Sequence, residues 1–225
     1  MKEKLKQRIV DANRELSERG LVLFTWGNAS MRDGDIWGIT PSGIPSDSLG
    51  PEDVVLLDMD GNVVEGEKDP SSDMPTHHEL YNRLGLDAIV HTHSTHAVMF
   101  AQAEMPIDCL GTTHADHFCG SVPVTRYLSE NEMDAYERNT GKVIADCFNE
   151  RDPASVPAAI VAGHGPFVWG ETVESAVENA AVLEEVARMN HGALQLNPEA
   201  GTLPDRIQNK HFERKHGDDA YYGQE

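Results

Sequence analysis

Ile89-Val90-His91-Thr92-His93-Ser94 is a short apolar run that stops at two histidines one residue apart. In an extended strand, side chains two positions apart point to the same side. His91 and His93 therefore aim two imidazoles at one point in space, which is what a divalent transition metal needs from its first two ligands. The same spacing also describes an ordinary polar strand end with hydrogen-bonded surface histidines. The pair gains meaning only from what the rest of the chain adds.

Working outward, Gly163-His164-Gly165-Pro166 follows the apolar strand Ala158–Val161 and precedes another, Phe167–Trp169. A histidine held between glycines at a strand end is conformationally specified, and it offers a third imidazole. Upstream, Pro70-Ser71-Ser72-Asp73 precedes Thr76-His77-His78-Glu79, a Thr-x-x-Glu capping box that predicts a helix start running through Leu84. Backbone donors and the helix dipole favour an anion there. Two further turns fit that role. Pro41-Ser42-Gly43 closes the predicted strand Ile36–Thr40, and the loop Thr25-Trp26-Gly27-Asn28-Ala29-Ser30 follows a predicted strand over Leu21–Phe24. Each alone is an ordinary turn; together they make a hydroxyl- and amide-rich cradle. Asp73 adds a carboxylate to the three imidazoles, a donor set suited to Zn²⁺.

The remaining chain reads as scaffold. Leu5, Ile9, Ala12 and Leu16 are spaced for an amphipathic helix over Met1–Gly20. Val54–Leu57 and Val63–Val64 flank an Asp-Gly turn and predict a hairpin. The apolar run Val98–Ala101 predicts a core helix, and Gly111–Phe118 predicts a loop carrying Asp116, followed by a short strand at Val122–Val124. Ser129-Glu130-Asn131-Glu132 is a second capping box, opening a helix with Met133, Tyr136, Val143, Ile144 and Phe148 on its apolar face. Thr172 caps a long helix with Val173, Ala176, Val177, Ala180, Leu183 and Ala187 on one side. The basic cluster Lys210–Gly217 and the Tyr221-Tyr222-Gly223-Gln224 tail suggest a segment that docks, with a neighbouring subunit as one candidate surface, against the alternative of a disordered tail.

Composition sets the outer limits. At 225 residues, with no Ser/Gly- or Pro-rich linker, one domain with a substantial core is expected. No apolar run approaches the ~18–20 residues of a membrane span, and Met1–Val10 carries no signal or transit pattern, so a soluble cytoplasmic protein is expected. The three cysteines, Cys109, Cys119 and Cys147, lack metal or redox spacing and read as reduced thiols. A formal charge of −20 argues against non-specific nucleic-acid binding. It also means that an anionic substrate needs the few cations concentrated locally.

The motifs Thr25-Trp26-Gly27-Asn28, Pro41-Ser42-Gly43, Pro70-Ser71-Ser72-Asp73, His91-Thr92-His93-Ser94, Gly111-Thr112-Thr113-His114-Ala115-Asp116, His164-Gly165-Pro166-Phe167 and Arg214-Lys215-His216-Gly217 through Gln224 occur in order along nearly the whole chain. In them the sequence resembles the L-ribulose-5-phosphate 4-epimerases of the class II aldolase/epimerase superfamily. The resemblance implies one domain over residues 1–225, an α/β/α layered fold with a mostly antiparallel central sheet, and a C4 homotetramer with active sites at subunit interfaces. The tail, about residues 205–225, would dock near a neighbour's active site. It further implies that Asp73, His91, His93 and His164 hold the metal, Zn²⁺ with Mn²⁺ or Co²⁺ as alternatives. Asn28, Ser42, Gly43, Ser71 and Ser72 would bind the phosphate of a pentulose phosphate. Asp116 and Tyr222 would act as the acid/base pair, with Tyr222 supplied by the neighbour, and Thr113, His211 and Arg214 would lie close to substrate. The implied setting is L-arabinose catabolism.

The chain departs from that pattern at Thr40, where these epimerases carry lysine, and at His117, where an aromatic residue is usual. A related pentulose therefore stands as an alternative substrate. Sugar-phosphate aldolases of the same superfamily are the nearest rival, but those resembling this chain carry a glutamate where Asp73 stands. A non-catalytic metal-binding protein is the remote alternative, and it would need neither Asp116 nor Tyr222.

Overall fold

The computed structural model describes residues 2–217 and 220–221. Its centre is one seven-stranded sheet in the order β4-β3-β2-β1-β5-β7-β6, with every named strand pair antiparallel. The strands are β1 (Gly27–Asp33), β2 (Ile36–Ile39), β3 (Val55–Asp58), β4 (Val63–Glu65), β5 (Ala88–Thr92), β6 (Ala158–Ile160) and β7 (Pro166–Gly170). The helices are α1 (Lys2–Glu18), α2 (Met74–Leu84), α3 (Thr95–Gln102), α4 (Thr112–Ala115), α5 (Tyr136–Asp146), α6 (Val173–Leu196) and α7 (Asp205–His216). No helix among the described residues is long and apolar enough to cross a membrane.

Period-two alternation sorts the sheet into two faces. On one, Trp37 packs 5.2 Å from the Tyr81 ring of α2, and Ser30 Oγ lies 2.7 Å from His77 Nδ1 and 2.6 Å from the Tyr81 hydroxyl. On the other, the position of Gly38 lies against Ile9 of α1, and that of Gly170 against Ser175 of α6. This is the layered α/β/α arrangement that the family resemblance implies. α1 buries Leu5, Ile9, Ala12 and Leu16, and α6 buries the whole face expected from Val173 to Ala187. Each fully buried leucine, isoleucine or valine among them stabilises the fold by roughly 1.5–3 kcal/mol. The start of α6 is fixed reciprocally: Ser175 N donates to Thr172 Oγ1 at 3.1 Å, and Thr172 N donates to Ser175 Oγ at 3.0 Å.

Several expectations fail, each for a local reason. Leu21–Phe24 is not a strand: the Leu21 and Val22 amides donate back to the Leu16 carbonyl, closing the end of α1, and Phe24 turns to φ 54°. Gly27–Ser30, expected as loop, is instead the first half of β1. Its pairing on both sides with β2 and β5 outweighs a sequence poor in strand formers. Glycine is required at position 27, where a Cβ would sit 2.7 Å from the His91 carbonyl and 2.5 Å from Val22 Cγ2.

The helix expected with Thr76 at its N-cap begins three residues earlier, with Asp73 at that position and Thr76 Oγ1 donating to the Glu137 carbonyl at 2.6 Å. The expected 111–118 loop contains the short helix α4. Val122 and Val124 form only isolated bridges, to Ile107 and Ile160. The Ser129 capping box opens a 3₁₀ turn over Glu130–Ala135 that leads into α5, leaving Met133 exposed and Tyr136 half-exposed, off the core. Met99, expected in the core, is also exposed. The basic tail cluster forms α7, packed on its own chain. Tyr222, Gly223 and Gln224 lie outside the described residues.

Candidate active site

β5 is the positioning element. Buried at every residue, it runs between β1 and β7, so that Asn28, His91 and Phe167 pair across the three strands and share a face. His91 stacks on Phe167 with ring centroids 4.2 Å apart, and its Nδ1–H donates to the Pro166 carbonyl at 2.9 Å. That bond assigns the proton to Nδ1 and leaves the Nε2 lone pair free. His93 stands just past the end of β5. His164 stands in the turn between β6 and β7, where Gly163 adopts φ 68° and a Cβ on Gly165 would meet the Thr92 carbonyl at 2.6 Å. The glycines flanking His164 are therefore demanded by the backbone.

The three rings form a near-equilateral cluster, with centroids 5.0 Å (His91–His93), 4.8 Å (His91–His164) and 4.9 Å (His93–His164) apart. One ligand nitrogen from each lies within 4.8 Å of the others. Asp73 Oδ2 lies 3.9 Å from His91 Nε2 and accepts a 2.7 Å hydrogen bond from Asn28 Nδ2. Burial pushes the pKa of His91 down to about 3, against the attraction of Asp73, and burial also lowers those of His93 and His164. Burial opposes ionisation of Asp73, but His91, His77, His164 and the Asn28 amide outweigh it and hold the carboxyl below its ordinary value. The result at neutral pH is three neutral imidazoles and one carboxylate.

That donor set fits a divalent metal. His91 Nε2 and His164 Nδ1 are buried with no hydrogen-bond partner, a cost that a bound cation would remove.

The cluster forms part of the wall of a cavity of about 410 Å³, which Asn28, Thr40, Ser42, Gly43, Ser71 and Ser72 also line. The structure thus brings every expected metal and phosphate residue into one space. Asn28 is more committed than expected, its Nδ2 donating to Asp73 and, at 3.1 Å, to Ser71 Oγ. No lysine or arginine lines the cavity among the described residues. Thr40 does not fill that gap, being uncharged, and its Oγ1 accepts from Ala29 N at 3.3 Å. Tyr136 and Glu137 also line the cavity, and neither was singled out as a site residue. Burial, then the charges of Asp73 and Glu137, raise the Tyr136 pKa, so it presents a protonated phenol. Tyr136 falls at an apolar helix position, so periodicity assigns it to the core; only its place at the first turn of α5 puts it beside Asp73.

Asp116 does not line this cavity within the chain. It follows α4 and is held by α7: Arg214 Nη2 donates to both carboxylate oxygens at 2.9 Å, Arg214 Nε to Oδ1 at 3.1 Å, and His211 Nδ1 lies 3.1 Å from Oδ1. His216 Nε2 lies 2.9 Å from the Asp116 carbonyl. Thr113 sits exposed on α4, outside the cavity. His117, the second departure, pairs with Lys215 Nζ at 3.0 Å.

A seven-stranded antiparallel sheet between helix layers, presenting to a hydroxyl-rich cavity a histidine–aspartate cluster that could hold a metal, defines an α/β protein of the class II aldolase type. The chain belongs to the class II aldolase and adducin N-terminal domain family, whose model matches residues 7–191. It is 52% identical over 226 residues, covering 99% of each chain, to a protein of Salmonella paratyphi B named L-ribulose-5-phosphate 4-epimerase UlaF. Among solved structures it superposes on an L-fuculose 1-phosphate aldolase with TM-score 0.81 and 28% identity, covering 94% of this chain and 95% of that one. A putative aldolase/epimerase/decarboxylase, YgbL of Klebsiella pneumoniae, shares the fold at TM-score 0.77 and 24% identity, covering 93% and 98%. The resemblance to epimerases thus extends over the full chain, and the histidine cluster accords with the divalent-metal dependence of class II aldolases.

Proposed function

We propose that this protein is a zinc-dependent 4-epimerase that interconverts L-ribulose 5-phosphate and D-xylulose 5-phosphate. The observation that carries the reading is Asp73, a short carboxylate held by Asn28 among three imidazoles, in a chain half identical end to end to a protein named for that reaction. Inversion at C4 needs no oxidation if the C3–C4 bond breaks and re-forms. The C1–C3 portion leaves as the enediolate of dihydroxyacetone and the C4–C5 portion as glycolaldehyde phosphate. The aldehyde then rotates and is attacked on its other face.

An ion held by His91, His93, His164 and Asp73 supplies Lewis-acid stabilisation of the charge that develops on the sugar oxygens. The hydroxyls and amides of Asn28, Ser42, Gly43, Ser71 and Ser72 hold the phosphate, so the aldehyde stays in place while it turns. Two faces need two proton-handling groups. Asp116 and Tyr222 are assigned to them: one removes the C4 hydroxyl proton as the bond breaks, and the other protonates the new alkoxide.

Asp116 lies outside the cavity of its own chain and that cavity has no cation among the described residues, which supports a site completed by a second copy, in a C4 homotetramer. The basic α7 and the tail beyond it, with His211, Arg214 and Tyr222, are the elements we assign to that junction, with Thr113 beside them. Such an enzyme would serve pentose use, including that of L-arabinose.

Incubating metal-loaded protein with L-ribulose 5-phosphate and following products by NMR tests the reading. Xylulose 5-phosphate is the expected product. Accumulation of dihydroxyacetone and glycolaldehyde phosphate alone would instead identify an aldolase, the activity that names the structural neighbour.

A further inference from the structure

The two histidines at the end of β5, His91 and His93, are held differently. His91 lies within the strand and is oriented by its own bond to the Pro166 carbonyl. His93 lies in the two-residue junction between β5, which ends at Thr92, and α3, which begins at Thr95. Its ring contacts Trp26, centroids 6.4 Å apart, and the other two imidazoles, but no hydrogen bond orients it among the described residues. The direction of the His93 side chain is therefore set by backbone on either side, the end of β5 and the first turn of α3.

That first turn is not capped from within. Ser94, its N-cap residue, makes no side-chain cap bond. The cap comes from α6. His96 N donates to Glu184 Oε1 at 2.9 Å and to Oε2 at 3.0 Å, and Ala97 N donates to Oε2 at 3.0 Å. His96 Nδ1 lies 2.8 Å from Glu184 Oε1. The Glu184 side chain is only 18% exposed, so these bonds are sheltered from competing water. A carboxylate here also complements the positive end of the helix dipole.

We infer that Glu184 is a positioning residue for the metal centre: by clamping the start of α3 to α6, it fixes the junction that aims His93 at His91 and His164. Glu184 does for His93 what the Pro166 carbonyl does for His91, through the backbone instead of the ring. This rests on the reading of the imidazole cluster as a metal site. It makes the long helix α6, which lies behind the sheet, a mechanical part of that site.

The test is Co²⁺ and Zn²⁺ binding to wild type and to Glu184→Gln, measured without substrate by equilibrium titration and, for Co²⁺, by visible absorption. Glutamine keeps the volume but turns one acceptor into a donor facing backbone N–H groups. About tenfold weaker binding and an altered Co²⁺ spectrum are expected, in the lower range of outer-shell losses, with circular dichroism unchanged. His96→Gln, which leaves both backbone amides on the carboxylate, should bind within about twofold of wild type. Ser94→Asp added to Glu184→Gln restores a local cap and should recover most of the loss. If Glu184→Gln lowers only thermal stability and binds Co²⁺ with wild-type affinity and spectrum, the inference is overturned. Should that variant not fold, Glu184→Asp, which retains the charge but shortens the reach, carries the same comparison. Absence of Co²⁺ binding in wild type would overturn the metal-site reading as well, so the two failures are distinguishable.

Discussion

The imidazole cavity and the Asp116 cluster are both polar, both built at helix or strand ends, and opposite in state. In the cavity, burial strips protons from the histidines and leaves His91 Nε2 and His164 Nδ1 without partners. In the α4–α7 cluster, the Asp116 carboxylate already receives Nε and Nη2 of Arg214 and stands beside His211. The first arrangement leaves imidazole lone pairs free to take a cation, and in the second the carboxylate is already paired. Unsatisfied buried donors and acceptors are costly and persist where something binds, whereas a bidentate arginine–carboxylate pair is a stable end in itself. The chemistry proposed needs both, so the comparison turns on whether Asp116 works from its paired state at a second copy's cavity.

The largest expected effect is on the open side. His91→Ala removes a ligand with no substitute in reach, and metal affinity should fall by more than about a hundredfold, measured by titration, with all turnover lost. Retained stoichiometric metal would break the reading of the cluster. On the paired side, Asp116→Asn keeps shape and removes the base, and kcat should drop by roughly 10²–10⁴ while metal content stays at the wild-type level. Tyr222→Phe should behave alike. Full activity in either variant would refute its assignment and leave the Asp116 cluster as scaffold.

Much of this contrast can be read from sequence, but unevenly. α1 and α6 are legible because a single apolar face governs each, and every residue their spacing selects is buried. His91, His93, His164 and Asp73 are legible because donor chemistry restricts the residue types. β1 is not, since Gly27, Asn28 and Ser30 are chosen by neighbours: Gly27 by the His91 carbonyl, Asn28 by Asp73, Ser30 by His77 and Tyr81. Tyr136 is hidden for a related reason, because a half-buried aromatic beside a cavity has the same periodicity as one in a core. The separation of Asp116 from the cavity has no local signature at all, being a matter of where α4 and α7 pack.

Thr40→Lys sharpens the comparison from the cavity's side. Among the described residues the cavity offers a phosphate only neutral donors. A lysine at this position gives up the 3.3 Å bond from Ala29 N and adds a charge next to Ser42. If neutral donors are all the cavity has, inhibition by inorganic phosphate should strengthen by about tenfold, the size of one charge-assisted hydrogen bond. An unchanged inhibition constant would mean that a cation from a second copy already occupies that role.

A last difference separates the regions by pH. His114 of α4 is buried beneath the Asp116 cluster, its Nε2–H donating to the Gly120 carbonyl at 2.8 Å, and burial lowers its pKa to about 4. In the unfolded chain a histidine titrates near ~6.5. Between these values the unfolded state binds the extra proton, so stability rises with pH across the window and is lost as pH falls from about 6.5 toward 4. At pH 5 the loss amounts to roughly 2 kcal/mol for one such histidine. His77, also buried and also lowered to about 4, adds a similar slope from the cavity side. His114→Gln keeps a donor for Gly120 and cannot titrate. Urea denaturation at pH 7 and pH 5 should therefore show a pH dependence smaller by about 2 kcal/mol in the variant. An identical pH dependence would place the acid sensitivity elsewhere.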